Sequence, residues 1–221
     1  MKGLDELVYD DSALKIITQW IFESNNKNDA VILPPTKEFG EKELMELQVT
    51  TKSTLGAIAY YTGGILLQHG WLRILGSGHE KLPRTITSWS KECEVKQALL
   101  VADDVVGGFF ALNGGFIEEG IGQIFYFAPD SLEWEGLEMG YTDFLNWACT
   151  GDVNKFYETM RWSGWESYVA NMNGDQAISI YPPLFSKEAQ SAIEKCSKKP
   201  VPIKEIWGIN NQFRKRFKLE L

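Results

Sequence analysis

The chain has 221 residues, 44% of them hydrophobic, which is enough to bury a sizeable core. Its formal charge of −8 argues against a general nucleic-acid binder, which needs a basic face for phosphates. No apolar run reaches the roughly 18 residues of a membrane span, and the N-terminal MKGLDELVYDDS lacks the apolar core of a secretory signal.

In chain order, the first expected element is a helix over 11–22. Asp11 or Ser12 would cap it, and Leu14, Ile17 and Ile21 repeat at helical spacing, with Ile16 and Trp20 widening the apolar face. SNNKND, residues 24–29, reads as a loop. Val31 to Leu33, stopped by Pro34 and Pro35, reads as an edge strand, because proline cannot donate to a ladder. Helices follow over 41–47 and 53–61, the second capped by Ser53 or Thr54 and ended by Gly63-Gly64. Residues 65–68 and 71–75 read as two strands around His69-Gly70, and Gly76-Ser77-Gly78-His79 as a turn.

The middle of the chain carries the strongest strand signal. Residues 98–102, 108–112 and 123–127 are short apolar runs, and Asn113-Gly114-Gly115 supplies a turn. Residues 129–135 add a fourth strand, on which Leu132 and Trp134 alternate with Glu133 and Glu135. Helices return over 142–150 with Thr142 as cap, over 153–160 and over 163–172. Residues 177–181 return to strand, 186–196 to helix with Ser186 near its start, and the remainder from Lys198 is basic and partly extended. This is the pattern of one α+β domain with a mixed, largely antiparallel sheet and helices packed around it. Residues 1–97 form a helical part with a strand pair, 98–150 an acidic strand-rich centre, and 151–221 a helical, basic extension.

Charge is distributed unevenly along this pattern. Between Val101 and Asn154 stand Asp103, Asp104, Glu118, Glu119, Asp130, Glu133, Glu135, Glu138, Asp143 and Asp152, without one Lys or Arg. All of the negative excess falls there, while the tail carries Lys195, Lys198, Lys199, Lys204, Arg214, Lys215, Arg216 and Lys218. Such asymmetry steers cationic partners, or else it is a solvated face balanced by the folded tail.

Catalytic constellations are thin by comparison. Only His69 and His79 occur, and neither pairs with a cysteine at zinc-ligand spacing. Asp103 and Asp104 are adjacent, so on a strand their side chains take opposite faces and do not share an ion. The turn GSGH lacks the G-x-S-x-G spacing of a nucleophile elbow, and no phosphate-binding glycine loop is present. No cofactor and no metal are expected. Asp130, Glu133, Glu135 and Glu138, with eight tryptophans in the chain, leave a carboxylate-dependent enzyme acting on a carbohydrate or other small polar substrate as the alternative. Arg161-Trp162-Ser163-Gly164-Trp165 is either an internal clamp or a partner-binding hot spot. Cys93, Cys149 and Cys196 are odd in number and form no CxxC, so three buried free thiols in a reducing, cytoplasmic setting are expected.

Leu99 to Asp104, then Gly107 to Leu112, Gly122 to Phe127 and Tyr141 to Leu145 resemble the SUKH superfamily, named for yeast cell-wall-assembly regulators and bacterial immunity proteins. More narrowly, the run from Val101 through Trp165 to Tyr181-Pro182-Pro183-Leu184 is similar to the bacterial family called domain of unknown function 2625. One departure is that Leu33-Pro34-Pro35 lacks the Asn-Gly-Gly that the superfamily places after its first helix, Gly63-Gly64 being a partial substitute. The resemblance implies a SUKH-like sheet with helices around it, no catalytic residues, and a binding role, often against nuclease toxins. Together with the charge map it points to a non-catalytic domain binding a basic, toxin-like protein, with no nucleic-acid and no membrane partner. The residues expected at that contact are Asp103, Asp104, Glu118, Glu119, Asp130, Glu133, Trp134, Glu135, Arg161, Trp162 and Trp165.

Overall fold

The computed structural model describes residues 1–24 and 29–219, so most of the loop expected over 24–29 lies outside the described residues. Seven strands, β1 (Val31–Leu33), β2 (Gly64–Leu67), β3 (Leu72–Leu75), β4 (Ala98–Asp104), β5 (Phe109–Asn113), β6 (Gln123–Ala128) and β7 (Glu133–Gly140), form one sheet in sequence order. Every pairing is antiparallel, as short connections between neighbouring strands favour. A second, two-stranded sheet pairs β8 (Gln176–Tyr181) with β9 (Ser197–Pro202). The chain is α+β.

Side chains alternate across a strand, so the register assigns each residue to a face. One cross-strand row runs Val31, Leu66, Arg73, Asp103, Phe109, Phe127, Trp134. The opposite row runs Ile32, Ile65, Ile74, Ala102, Phe110, Tyr126, Glu135. The first face is covered by α4 (Ile86–Glu92), α9 (Ile203–Phe217) and the β8–β9 hairpin. Trp89 of α4 and Trp207 of α9 both pack on Phe109, with ring centroids 6.4 and 4.9 Å away, and the Ile178 N–H donates to the Val105 carbonyl at 2.6 Å. The second face is covered by α5 (Tyr141–Thr150) and the short α6 (Val153–Phe156), where Phe144 and Phe156 stack on Phe110 and Tyr126. Helices α1 (Leu14–Glu23) and α3 (Thr54–Tyr61) pack beside α5. With both faces covered, β4, β5 and β6 read as nearly continuous apolar runs rather than as alternating strands.

Several local expectations are corrected. Helix α1 starts at Leu14 with Ala13, not Asp11 or Ser12, at the cap position, and alanine has no side-chain oxygen to accept an orphan N–H; Ile16 lies on its exposed side. Helix α2 (Lys37–Leu47) begins four residues before the expected start. Helix α3 ends at Tyr61, and Gly64 opens β2 instead of closing the helix. A side chain at Gly64 would strike Leu82 Cδ2 at 2.6 Å and the Ile74 carbonyl at 2.8 Å.

Strand β7 starts at Glu133, since residues 129–132 form a turn in which the Leu132 N–H donates back to Ala128 and Leu132 is buried at φ 62°. Thr142 lies inside α5, where its hydroxyl meets that of Thr54 at 2.8 Å. The helices expected over 153–160 and 163–172 shorten to α6 and to α7 (Trp165–Val169), and that over 186–196 to α8 (Lys187–Ala192) followed by a 3-10 turn. The largest miss is α9. Its stripe of Ile203, Ile206, Asn210 and Arg214 is buried at helical spacing, and the density of basic residues masked it.

Helix α3 depends on its start. Ser53 Oγ accepts the Gly56 N–H at 3.0 Å, satisfying one orphan donor. Ser53→Ala is expected to cost about 1 kcal/mol, read as a lower urea midpoint with an unchanged slope.

Candidate functional site

The residues expected at a contact surface fall in three separate places. The first is the interior. Asp103 is the penultimate residue of β4, the middle strand, on the first face of the sheet, directly opposite Arg73 of β3. Arg73 Nε donates to Asp103 Oδ1 at 2.6 Å, and Arg84 Nη1 donates to Asp103 Oδ2 at 2.5 Å. All three side chains are buried. Arg73 Nη2 donates to the Asp104 carbonyl at 3.1 Å, and two further donors reach the start of β8 and the turn before it: Arg73 Nη1 to the Gln176 carbonyl at 2.5 Å and Arg84 Nη2 to the Gly174 carbonyl at 2.7 Å. Arg84 Nε lies 3.4 Å from Asp175 Oδ1, and its guanidinium sits 4.9 Å from the Trp89 ring. Burial pulls the Arg84 pKa below its ordinary value, and the Asp103 charge opposes that.

Asp104 faces the other way. Its Oδ1 accepts the N–H groups of Val106 and Gly108 at 3.0 and 2.8 Å, and its Oδ2 accepts the Tyr126 hydroxyl at 2.9 Å. Burial raises its pKa above the ordinary aspartate range, and these hydrogen bonds only partly offset it. Tyr126 and Tyr157 are held well above the ordinary tyrosine value, by burial first and by the Asp104 carboxylate second. Gly108 must approach closely: a Cβ there would lie 2.1 Å from Asp104 Oδ2. Neither Asp103 nor Asp104 can therefore belong to a contact surface, because both close the end of a strand that is covered on both faces.

The second place is a cage around Arg161. Its guanidinium lies 4.0 Å from the Trp165 ring, 4.8 Å from Trp71 and 5.4 Å from Tyr157. Its Nη1 donates to Asn154 Oδ1 at 2.6 Å and its Nη2 to Gln68 Oε1. Burial lowers its pKa to about 10. Trp162 is buried against Trp71, with centroids 5.7 Å apart, and lies under Lys198. Of the two readings of this motif the geometry gives the internal clamp: Arg161 bonds side-chain amides and stacks on rings, and Trp162 offers no contact surface.

The clamp fixes Gln68, which together with His69 and Gly70 forms three consecutive left-handed residues, at φ 50°, 58° and 92°. That conformation is sterically costly for non-glycine residues. It projects His69 to within 3.5 Å of Asp29 Oδ1 at the mouth of a cavity of about 750 Å³, whose floor includes Arg73 and Val105. The sequence gives a break at this point but not its handedness.

The third place is the free edge of the sheet. Among the described residues, strand β7 pairs only with β6. Glu133 and Glu135 are exposed on it, with Glu138 further along, and Asp130 and Trp134 are half-buried. Burial raises the Glu135 pKa, and the neighbouring Asp130 and Glu133 charges raise it further. Arg214 of α9 lies near Glu133. Loop 114–122 carries Glu118 and Glu119 to the same edge. Buried Asn113 organises it, donating to the Ile117 and Glu119 carbonyls at 2.8 and 2.9 Å and accepting the Gly115 N–H at 2.8 Å. Phe116 then seats the loop on Trp134, with centroids 5.2 Å apart, and leaves Ile121 exposed. The acids of 130–143 thus lie on an open edge and an exposed helix surface and line none of the cavities described here.

Among the described residues no helix is long and apolar enough to cross a membrane. The three cysteines are buried and unpaired; burial pushes the Cys149 thiol up to about 12 and Cys93 higher still.

The sequence that folds in this way is matched along nearly its whole length by a family model. The family described as "Protein of unknown function DUF2625" matches residues 4–206, and this chain belongs to it. Its relatives include "Putative uncharacterized protein YbfG" of Escherichia coli (strain K12), 42% identical over 222 residues, covering 98% of this chain and 99% of the relative. An uncharacterized protein of Haemophilus influenzae (strain ATCC 51907 / DSM 11121 / KW20 / Rd) is 38% identical over 226 residues, covering 99% of this chain and 98% of its own length. No solved structure matches.

Two outcomes test the buried centre. Asp103→Asn leaves buried Arg73 without a countercharge and buried Arg84 with only the half-exposed Asp175, and is expected to cost about 3–5 kcal/mol in urea denaturation. At a pH between the ordinary aspartate value and its raised folded value, folded Asp104 keeps a proton that the unfolded chain has released. Its contribution to stability is therefore present at low pH and declines as pH rises from the ordinary aspartate range through its raised folded value. Asp104→Asn should remove that decline, read from stability–pH curves of the two proteins between about pH 4 and 8.

Proposed function

We propose that this chain is a non-catalytic protein-binding domain, and that its contact surface is the free edge of β7 with loop 114–122. The observation that carries the reading is the edge itself. A strand with one unpaired side offers a row of N–H and C=O groups, and here it is flanked by Glu118, Glu119, Glu133, Glu135 and Glu138, with the exposed Ile121 beside it. The partner that fits is a basic protein. Clustered acids speed its approach more than they tighten the final complex. The likeness of residues 99–127 and 141–145 to the SUKH pattern supports a toxin-like partner and an immunity role. Three buried free thiols fit a cytoplasmic site of action. The carbohydrate-enzyme reading loses its geometric support, since its acids do not face one another across a cleft.

The test uses the purified products of the genes flanking this one. At least one is expected to bind, faster at low than at high salt. Glu118→Lys/Glu119→Lys/Glu135→Lys should slow its association by about tenfold while moving stability by no more than about 0.5 kcal/mol. No binding by any flanking product, or unchanged association of the triple variant, contradicts the reading.

A further inference from the structure

A second cavity, of about 710 Å³, lies between α2 and α4, far along the sequence from the acidic edge. Phe39 and Glu43 of α2 face Thr87 and Lys91 of α4 across it, and the turn holding His79 and Pro83 closes one side. Its apolar surfaces are unusual for an exposed pocket: Phe39 is 51% exposed although it is an aromatic side chain with no polar handle.

At the back sits Glu43, only 3% exposed. Its Oε1 accepts the Thr87 N–H at 2.7 Å and its Oε2 accepts the Thr87 hydroxyl at 2.8 Å. These two bonds explain why the carboxylate is held there, since the Thr87 N–H is an orphan donor in the first turn of α4. They do not supply a countercharge. Among the described residues no Lys, Arg or His nitrogen lies within 4.0 Å of Glu43; the nearby Lys91 is engaged with Glu46. A buried carboxylate is ordinarily paired with a cation, and each Glu43 oxygen keeps acceptor capacity beyond its single bond. With Glu46 and Glu80 the cavity wall holds three carboxylates, Glu43 included, against the ammoniums of Lys42 and Lys91.

We propose that this cavity binds a small primary amine with a flat apolar body, the ammonium on Glu43 and the body between Phe39 and Pro83. An ammonium has three donors and a compact charge, which suits the open lone pairs of a carboxylate already fixed by neutral donors. An aromatic body covers Phe39, whose exposure is otherwise unexplained. The turn Gly76 to His79, which carries no nucleophile-elbow spacing, acquires a role as the wall of this site.

The test is titration of the full chain, followed by amide chemical shifts, with three probes that share a phenylethyl body and differ in the polar end: phenethylamine, 2-phenylethanol and 3-phenylpropionate. Phenethylamine should shift the amides of His79, Thr87 and Ser88 saturably. The alcohol should bind about tenfold more weakly, as loss of one charge-assisted hydrogen bond implies, and the acid not at all. Glu43→Gln, which keeps an acceptor for the Thr87 N–H, should weaken the amine by about tenfold and leave the alcohol unchanged. Should that variant fail to fold, Phe39→Ala at the exposed rim serves instead, with weaker amine binding expected. Equal binding of amine and acid, no saturable shift by millimolar amine, or an affinity indifferent to the variant that folds overturns the proposal. None of these outcomes bears on the β7 edge.

Discussion

The grip of Arg73 and Arg84 on the Asp103 carboxylate is the joint on which the rest of the structure depends. It meets at one buried point four parts of the chain: β3, β4, the approach to α4, and the turn into β8. Such a group of charges gains little net stability, because desolvating three ions offsets most of their attraction. What it supplies is geometry. The guanidinium forks have fixed directions, so the Gly174 and Gln176 carbonyls that they reach outside the sheet are placed relative to it. The hairpin then lies where the Ile178 N–H can extend the bonding from Val105. Asp104 performs a smaller version of the task on the opposite face, holding the turn 105–108 and the Tyr126 hydroxyl.

Locking two acids inside changes the meaning of the acidic segment. The negative excess still reaches the surface, but from loop 114–122, from β7 and from the outer side of α5. The sheet has two edges, and they are treated differently. At β1 the strand is three residues long and followed by Pro34-Pro35, which limits pairing by length and by missing donors. At β7 the strand is eight residues long, and charge rather than proline guards it. Charge discourages a second copy of the same acidic edge while remaining attractive to a basic one, which ties the solubility of the edge to the partner proposed for it.

Much of the sheet was legible because its strands are short, apolar and separated by glycine turns; the runs at 98–102, 108–112 and 123–127 all lie within one or two residues of β4, β5 and β6. The opposite orientation of Asp103 and Asp104 was also legible, from alternation alone. Their burial was not. A run of acids without a base in its own segment reads as surface, and the countercharges, Arg73 and Arg84, stand 30 and 19 residues earlier in the chain. Ion pairing across a sheet is a tertiary fact with no local spacing. Helix α9 failed for a different reason: Asn210 and Arg214 occupy its buried stripe, so the apolar period is broken by the residues that pack inward. Helix α4 was missed although Thr85 and Ser88 form a reciprocal cap at its start, a signal present in the sequence at Thr85-Ile86-Thr87-Ser88. The Glu43 cavity was illegible because it needs α2, α4 and the turn at 77–85 together.

By these bonds the Asp103 joint should make the β8–β9 hairpin and the seven-stranded sheet one cooperative unit. Native-state amide hydrogen exchange tests it most directly, because it reads the free energy at which each segment opens. The amides of Ile178 and Ile180 are expected to exchange only through the same global opening as those of Leu100 and Ala102 in β4. Exchange of the hairpin through a separate opening of lower free energy, with the sheet still protected, would contradict it.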